Sequence, residues 1–345
     1  MSATRSAERR VYRGAIVGLG SVARQAHLPA FTSDLEVRSR LEIVAAVDAD
    51  PARGGPVELP VLTHLDQLRE LDPIDFVDIC TPTASHVELV LWALGQGYHV
   101  LCEKPVAVTR ADAKEIADAA RRAGRIVMPC HQYRFNPAWR RMREWLSGGA
   151  IGHWHLAELS VYRSAADPGA ACDDVPWRGV RAKSAGGILL DHGTHLIYTL
   201  LDLAGPPVAV RAWTGRLRHR EYDVEDSAQL LLEYPDRLAA IFLTWAASRR
   251  ETRARFVGEL GSIDWSGGVL RLEREGRVES HDLSAELDKS AYPRWFARLF
   301  ASFAAAMDAG DGGRPLDDIA QVAAVLESAY ESSRTAARFS TALSA

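Results

Sequence analysis

The sequence predicts an α/β fold in which a doubly wound parallel sheet is followed by an α+β domain with a large, open and mostly antiparallel sheet. Over the first 130 of the 345 residues, short apolar runs alternate with helical patterns, which indicates parallel strands buried on both faces. A glycine-rich turn directly follows the first apolar run. From residue 151 onward the runs are longer and alternate between apolar and polar residues, which is typical of a half-exposed antiparallel sheet.

The first predicted domain spans residues 1–130 and contains apolar runs that we interpret as parallel strands. These runs are GAIVGLG at 14–20, LEIVAAVD at 41–48, IDFVDIC at 74–80, YHVLC at 98–102 and RIVMPC at 125–130. One intervening helix is well delimited, because Thr109 and Asp112 form a variant of a capping box at its start and Gly124 follows its end. Strands that alternate with helices in this way predict a doubly wound sheet.

The second predicted domain spans residues 131–345 and begins with a linking helix at 136–146, which has Pro137 in its first turn. Alternating runs predict its strands: HWHLAELSVYR, VAVRAWTGR, SAQLLLEY, LAAIFLTWAA, RARFVGE and VLRLERE. The segment YPDR at 234–237 predicts a hairpin turn. The segments expected to be helical and to cover the other face of the sheet lie near 186–204, 292–309 and 315–336.

Composition and charge exclude several classes of protein. A hydrophobic share of 47%, a charged share of 25% and a net charge of −4 are ordinary for a soluble globular protein. The weakly acidic balance argues against nucleic acid as a partner, because phosphate backbones are bound by an excess of basic residues. The longest apolar run, at 238–247, is about half of the roughly 20 residues that span a bilayer. We therefore expect no membrane partner, and a cytoplasmic location, since no apolar signal segment precedes the first strand.

Neither a disulfide framework nor a metal site is expected. No CxxC pair occurs among the four cysteines, for which buried reduced thiols are the expected state: Cys80, Cys102, Cys130 and Cys172. Two histidine pairs, His153 with His155 and His192 with His195, lack a third ligand of matching type nearby.

The glycine-rich turn has the GxGxxA pattern of a dinucleotide-binding site. Its residues are Gly18, Leu19, Gly20, Ser21, Val22 and Ala23. Gly18 suits a tight turn, Gly20 allows the backbone to approach a pyrophosphate, and Ala23 is small where the helix meets the strand. The N-terminus of the helix then presents free N–H groups to the phosphates. Because a strand precedes this turn and a helix follows it, we expect a Rossmann-type domain that binds a dinucleotide.

Asp48 ends the second predicted strand, 28 residues after Gly20. A carboxylate at this place accepts hydrogen bonds from the ribose diol of the adenosine half and repels a 2′-phosphate. The cofactor expected from this residue is NAD, with NADP less favoured. Arg53 follows closely and could partner a phosphate, so NADP remains an alternative at this point.

Three motifs together resemble a known family. An EKP tripeptide lies within GYHVLCEKPVA at 97–107, CTPT follows the preceding strand at 80–83, and GGILLDHGTH occurs at 186–195. In this order and spacing they resemble the Gfo/Idh/MocA oxidoreductases, the relatives of glucose-fructose oxidoreductase and inositol dehydrogenase, over nearly the whole chain. The resemblance implies an NAD(H)-dependent dehydrogenase or ketoreductase acting on a secondary hydroxyl or ketone of a sugar, amino sugar or cyclitol. It also implies a homodimer or homotetramer that pairs through the open sheet.

The chemistry of alcohol oxidation explains why three residues of these motifs could act together. A base must take the hydroxyl proton while the developing alkoxide is stabilised by a cation or donor. Lys104 lies at the carboxyl end of a parallel strand, where α/β sheets place ligands, and Asp191 and His195 are four residues apart on one helix face. By resemblance, Lys104 polarises the oxygen, His195 is the acid or base, and Asp191 orients His195 or binds an adjacent hydroxyl.

The resemblance implies further contacts with cofactor and substrate. The additional cofactor-binding candidates are Thr81, Pro82, His86, Glu103, Lys104, Gln132, Trp177 and Arg178. The substrate-binding candidates are Arg134, Tyr162, Asp191 and His195. Gly186 and Gly187 would allow close approach of a substrate or nicotinamide edge. The loop at 164–183 is the expected specificity element, and its Asp167, Asp173 and Asp174 suggest an aminated substrate as a hypothesis.

Two other functions remain open from the sequence. One is a glycosidase of the same family that keeps NAD bound and would accumulate no NADH. The other is a non-catalytic sensor or repressor built on this fold, against which the presence of Lys104, Asp191 and His195 argues.

Overall fold

The computed structural model of the protein describes residues 10–54, 58–71, 73–167 and 175–335. Within these residues the chain forms a six-stranded sheet followed by an eight-stranded sheet. All strand pairs of the first sheet are parallel, and all but one pair of the second are antiparallel. The predicted fold class is therefore confirmed.

The first sheet is wound in both directions from its centre. Its strands are β1 (Tyr12–Val17), β2 (Leu41–Val47), β3 (Val61–Leu62), β4 (Phe76–Ile79), β5 (His99–Cys102) and β6 (Val127–Pro129). They are ordered β3-β2-β1-β4-β5-β6, so the winding reverses between β1 and β4. Ligands of such sheets bind at the carboxyl ends of the strands beside this reversal. The sequence did not predict β3, because two residues are too few to form an apolar run.

Helices cover both faces of the first sheet. They include α1 (Leu28–Ser33), α2 (Leu35–Arg38), α3 (His86–Gly95) and α4 (Arg110–Ala123). Ahead of α1 the chain is helical from Ser21 and takes a π-helical form at Ala23–His27. The predicted limits of α4 are confirmed: the Thr109 side chain accepts the N–H of Asp112, and Gly124 ends the helix with φ of 61°.

The helix α5 (Pro137–Ser147) links the two sheets, and Asn136 caps its start by accepting the N–H groups of Ala138 and Trp139. The strands that follow are β7 (Trp154–Tyr162), β8 (Ala209–Gly215), β9 (Ser227–Glu233), β10 (Leu238–Thr244), β11 (Glu251–Gly258), β12 (Gly261–Ser266), β13 (Val269–Arg274) and β14 (Arg277–Asp282). Their order is β14-β13-β12-β11-β7-β10-β9-β8, with β7 and β10 parallel at the centre. The hairpin predicted at 234–237 joins β9 and β10.

The helices of the second half pack in two directions. They are α6 (Arg181–Ser184), α7 (Thr194–Ala204), α8 (Tyr292–Ala309) and α9 (Gly313–Thr335). Helix α7 and the central part of α9 cover one face of the second sheet, as predicted. Helix α8 instead packs its Phe296, Phe300 and Phe303 against Phe31 and Phe76 of the first domain. Segment 292–309, predicted to cover the second sheet, thus completes the core of the first.

Three of the cysteines, Cys80, Cys102 and Cys130, are buried free thiols, as expected, and burial raises their pKa values. Cys172 lies outside the described residues. Of the helices in the described part of the chain, none combines the length and the apolar composition needed to cross a membrane.

Candidate active site

A cleft opens at the carboxyl ends of β1, β4 and β5, with the second domain forming its opposite wall. Many of the sequence-predicted residues from both domains line it together: Ser21, Val22, Thr81, His86, Glu103, Lys104, Gln132, Trp177, Arg178, Asp191 and His195. Residues that are more than 80 positions apart in the sequence, such as Lys104 and Asp191, are in direct contact here. The cleft is therefore the candidate active site.

The glycine-rich turn forms the first-domain end of the cleft. Gly18 has φ of +91°, and a Cβ there would lie 3.1 Å from the backbone carbonyl of Cys80, so only glycine fits. At Gly20 the nearest atom to a Cβ would be 4.0 Å away, which leaves the outer side of the turn open to a ligand. Leu19 and Ala23 are fully buried beneath the turn. Their side chains support the turn from inside, while the open backbone at Gly20 fits a pyrophosphate.

Asp48 is fixed against the same turn. Its Oδ2 accepts the N–H of Leu19 at 2.8 Å, and its Oδ1 accepts the N–H of Asp50 at 2.9 Å. Each carboxylate oxygen keeps a second lone pair, which could accept a ribose hydroxyl. The side chain of Arg53, on which the NADP alternative depended, lies outside the described side chains.

Lys104 and Asp191 form the charged centre of the cleft. The Lys104 Nζ donates to the Asp191 backbone oxygen at 2.5 Å and to its Oδ1 at 3.1 Å. Arg178 Nε lies 3.3 Å from the same Oδ1. Burial alone would raise the pKa of Asp191, but the charges of Lys104, His192 and Arg178 lower it well below its usual value. Asp191 is thus a carboxylate that neutralises and orients Lys104.

His195 is held by aromatic residues from two elements. Its Nδ1 lies 2.9 Å from the hydroxyl of Tyr198, which also accepts the backbone N–H of Tyr133 at 3.0 Å. The ring of Tyr133 stacks on His195 with centroids 4.1 Å apart. Within the described part of the chain, Nε2 of His195 has no hydrogen-bond partner, so this nitrogen is available to a ligand in the cleft. Burial, followed by the charge of Lys104, lowers the pKa of His195 well below its usual value.

The sequence predicted that Asp191 orients His195, but in the structure a different residue holds His195 in place. The contacts of the Asp191 carboxylate are with Lys104, Arg178 and His192. Tyr198, one helical turn after His195, provides the orienting hydrogen bond. The sequence carries a signal for this pair, because residues three apart on a helix are neighbours.

A buried charged triad lies directly behind the cleft. His27 is completely buried, with Nδ1 at 2.8 Å from Asp78 Oδ2 and Nε2 at 3.1 Å from Glu103 Oε1. Burial by itself lowers the pKa of His27, but the charges and hydrogen bonds of Asp78 and Glu103 outweigh it and raise the pKa to about 9. Burial raises the pKa of Glu103, while its hydrogen bond with His27 and the charge there lower it further than burial raises it. The triad ties the helix after the glycine turn to β4 and to the EKP loop.

Three further predicted residues lie near the first-domain side of the cleft. His86 is buried and joins two loops, with Nδ1 2.8 Å from the Pro105 oxygen and Nε2 2.9 Å from the Thr81 oxygen. Pro82 is exposed beside Thr81 and is not among the residues that line the cleft. Gln132 lines the cleft with a buried Oε1 that lacks a hydrogen-bond partner among the described residues. Such an unpartnered acceptor fits a cofactor that brings amide or hydroxyl donors.

Two of the predicted substrate contacts lie elsewhere. Arg134 forms a salt bridge with Asp202 at 2.7 Å and another with Asp318, so it joins the linking region to α7 and α9 instead of facing substrate. Tyr162 lies on the outer face of the second sheet. Because side chains alternate along a strand, the neighbouring Arg163 is the residue that faces the cleft. These two substrate assignments are corrected accordingly.

The glycine pair before Asp191 has a packing role. A Cβ at Gly187 would lie 1.8 Å from the Glu225 carbonyl oxygen, and one at Gly186 would lie 2.4 Å from the Tyr330 hydroxyl. The protein's own backbone, and not a ligand edge, requires Gly187. On the loop at 164–183, Trp177 and Arg178 line the cleft, with the guanidinium 4.3 Å from the centre of the indole ring.

Several cleft residues were not identified from the sequence. They include Tyr133, Arg163, Arg250, Lys289 and Tyr292. Of the acidic residues proposed to meet an ammonium group, Asp167 lines the cleft, whereas Asp173 and Asp174 lie outside the described residues.

Both halves of the chain match family models. Residues 12–131 match the oxidoreductase family, NAD-binding Rossmann fold. Residues 139–264 match the GFO/IDH/MocA C-terminal domain.

The chain is similar to known proteins over most of its length. D-apiose dehydrogenase of Paraburkholderia graminis is 32% identical over 298 residues, which are 85% of this chain and 76% of that protein. The dTDP-3,4-didehydro-2,6-dideoxy-alpha-D-glucose 3-reductase of Streptomyces violaceoruber is 30% identical and covers 91% of this chain and 92% of its own. An oxidoreductase from Agrobacterium radiobacter, solved with NAD+, L-tartaric acid and magnesium, has a TM-score of 0.81 at 22% identity and shares the fold over 94% of this chain and 97% of that one. The chain belongs to the Gfo/Idh/MocA family of NAD(P)-dependent oxidoreductases.

Proposed function

We propose that the protein is an NAD(H)-dependent dehydrogenase or ketoreductase acting on a secondary hydroxyl or ketone of a sugar, amino sugar or cyclitol. The observation that carries this proposal is the convergence of Lys104, Asp191 and His195 in one cleft with the glycine-rich turn. The relatives named above are a dehydrogenase of a free sugar and a reductase of a nucleotide-linked sugar, which supports this reaction class.

Different residues of the chain act on the proton and on the oxygen of the reacting hydroxyl. When bound, the nicotinamide dinucleotide supplies the oxidising or reducing equivalent of the reaction. The Lys104 ammonium, oriented by Asp191, stabilises the negative charge that develops on the substrate oxygen. His195 takes the hydroxyl proton through Nε2 during oxidation and returns it during reduction.

NAD is proposed as the preferred cofactor. Asp48 is held at the end of β2 by the N–H groups of Leu19 and Asp50. A carboxylate fixed there would repel the 2′-phosphate of NADP and accept the hydroxyls of NAD.

Replacing Lys104 tests the proposal. In a panel of sugars, polyols and glycosides assayed with NAD and NADP in parallel, we expect at least one compound to yield reduced cofactor. Lys104→Ala should lower kcat/KM for it by about 10² to 10³, because the group that stabilises the developing charge is lost. Lys114→Ala, which removes an exposed lysine on α4, is the matched control and should retain full activity.

Two results would contradict this assignment. Undiminished turnover in Lys104→Ala would remove Lys104 from the chemistry. Cleavage of a glycoside without accumulation of reduced cofactor would identify the glycosidase instead, and binding of NAD with no turnover of any compound would favour the sensor.

We also propose that the chain forms homodimers or homotetramers through the outer face of the second sheet, the face that α7 and α9 leave uncovered.

A further inference from the structure

Arg163 is a buried guanidinium at the wall of the cleft. Arg163 is the residue directly after β7, and it is only 9% exposed. One terminal nitrogen donates to the backbone oxygens of Tyr162 and Glu251, both at 2.7 Å, and the other donates to the Thr252 hydroxyl at 3.1 Å. The Nε has no hydrogen-bond partner among the described residues. No carboxylate of the described chain forms a salt bridge with Arg163, so its charge is held in place without being neutralised.

Such an arrangement is unfavourable unless something else compensates the charge. Burying an unpaired cation costs free energy, and this cost appears as a lowered pKa of Arg163, caused first by burial and then by the charge of Arg250. The charge of a largely buried arginine is usually compensated by carboxylates. Arg134 is an example, because it forms salt bridges with Asp202 and Asp318. Arg163 differs because no carboxylate of the described chain pairs with it directly, and the charge that affects it most is that of another cation, Arg250.

Arg250 and Lys289 reach the cleft from two other segments of the second domain. Both residues are exposed and line the same cleft as Arg163. Among the described residues, neither has a salt bridge or a side-chain hydrogen bond. The three side chains come from the end of β7, the loop after β10 and the turn before α8, so folding has brought three separate cations together.

The acidic residues of the cleft do not neutralise this group. Five cationic side chains line the cleft, against three carboxylates. Asp191 is paired with Lys104 and Arg178, and Glu103 is paired with His27. Asp167 lines the cleft as well, but within the described residues it forms no salt bridge with any of the three cations. The pyrophosphate of a dinucleotide does not require the second-domain cations either, since the open glycine turn lies on the first domain.

The three cations stand where the cleft opens into a second cavity. This cavity has a volume of about 670 Å³ and shares Tyr133, Arg163, Arg250, Lys289 and Tyr292 with the cleft. A ligand that extends from Lys104 and His195 toward the second cavity therefore passes these side chains.

We infer that Arg163, Arg250 and Lys289 bind an anionic group of the substrate, a carboxylate or a phosphate, while the reacting carbon lies at Lys104 and His195. The inference rests on the proposed function and narrows its substrate class to acidic or phosphorylated carbohydrates. Guanidinium groups suit these anions because their fixed N–H donors match two oxygens at once, and a lysine adds a mobile point charge. An ammonium-bearing substrate would be repelled at the same place, which weighs against the aminated substrate suggested by the acidic loop.

Binding measurements test the inference without depending on turnover. The 345-residue chain saturated with NADH is titrated calorimetrically with inorganic phosphate, D-glucuronate, D-glucose 6-phosphate, D-glucose and D-glucosamine. We expect at least one anion to bind tighter than D-glucose, and D-glucosamine to bind weakest. The sugar acid and the sugar phosphate distinguish a carboxylate site from a phosphate site.

The double variant Arg250→Ala/Lys289→Ala should weaken anion binding about tenfold or more, with little change for D-glucose. Both residues are exposed, so their removal spares the core, unlike removal of the buried Arg163. Arg141→Ala is the matched control, because this arginine on α5 is also exposed, pairs with Glu144 at 3.4 Å and lines neither the cleft nor the second cavity. It should bind anions as the unaltered protein does.

The inference is overturned if no anion binds tighter than D-glucose, or if the double variant binds anions as tightly as the unaltered protein. Either result leaves the proposed oxidoreductase activity standing, because that activity is judged by cofactor reduction and by Lys104→Ala.

Discussion

The hydroxyl of Tyr198 can serve His195 in both of its protonation states. A phenolic oxygen has two lone pairs and one hydrogen, and one lone pair is taken by the N–H of Tyr133. When Nε2 of His195 is free to act as a base, the ring hydrogen is on Nδ1, so the Tyr198 hydroxyl accepts from Nδ1, and it still accepts from Nδ1 when the ring is protonated. The ring thus keeps its position while a proton arrives at Nε2 or leaves it.

Replacing Tyr198 by Phe should therefore affect the chemical step more than binding. Loss of the hydrogen bond to His195, about 1 kcal/mol, predicts a five- to tenfold lower kcat, with little change in KM for substrate or cofactor. Steady-state kinetics on the substrate identified in the panel measure both constants. Tyr234→Phe is the control, because this buried hydroxyl has no hydrogen-bond partner within the described chain. Equal kcat values for Tyr198→Phe and the unaltered protein would exclude the positioning role.

At the residue scale, site residues that belong to motifs could be predicted from the sequence, whereas residues whose role depends on contacts with distant parts of the chain could not. Lys104 and Asp191 were found from motifs and now lie in contact. Arg134 was misassigned because its partner Asp318 is 184 positions away, and no local pattern reports such a pairing. Arg163 was missed by one position, although strand alternation would have selected it once the end of β7 was known.

Among the elements, the helical segment after the glycine turn depends on the buried charge of His27. The pKa of His27 is raised to about 9 by Asp78 and Glu103, from about 6.5 in an unfolded chain. The stabilisation that this shift represents is fully present below about pH 6.5 and is lost as the pH rises through about 9.

The free energy of unfolding should consequently fall by about 3 kcal/mol more in the unaltered protein than in His27→Gln as the pH rises from about 6.5 to 9.5. Urea denaturation across this range measures the difference, in which contributions shared by both proteins, such as the thiols, cancel. His155→Gln, at an exposed position of β7, should show the full pH dependence. Parallel pH dependences for His27→Gln and the unaltered protein would show that His27 is not charged in the fold.

Which elements the sequence predicted depended on how much apolar surface each one buries. Helix α4 was predicted with its caps, since capping residues act locally. Strand β14 was missed because it is an edge strand with mostly exposed residues and no apolar alternation. Helix α8 was predicted as an element but assigned to the wrong sheet, because a helix with phenylalanines on one face does not specify which apolar surface covers them.

For the whole molecule, the outer face of the second sheet is the surface suited to self-association. Its side chains include Tyr162 and Phe242 together with charges of both signs. Opposite charges beside apolar residues let the same face pair with itself about a two-fold axis. This observation supports the oligomer proposed above.

Introducing a charge into this face should separate the subunits. Phe242→Asp places an unpaired carboxylate at its centre, so we expect sedimentation to give the monomer mass for this variant and a dimer or tetramer mass for the unaltered protein. Leu35→Asp alters a 79% exposed residue on α2 and should leave the assembly intact. A monomeric unaltered protein, or an unchanged mass for Phe242→Asp, would contradict this interface.

The position of α8 also determines the order in which parts of the protein can fold during translation. The face of the first sheet that receives Phe300 and Phe303 is encoded before residue 130, but the helix that covers it ends at Ala309. During translation, Phe31 and Phe76 must wait for this distant segment to leave the ribosome before their core closes. The core of the first domain can therefore close only after the strands of the second sheet have been synthesised.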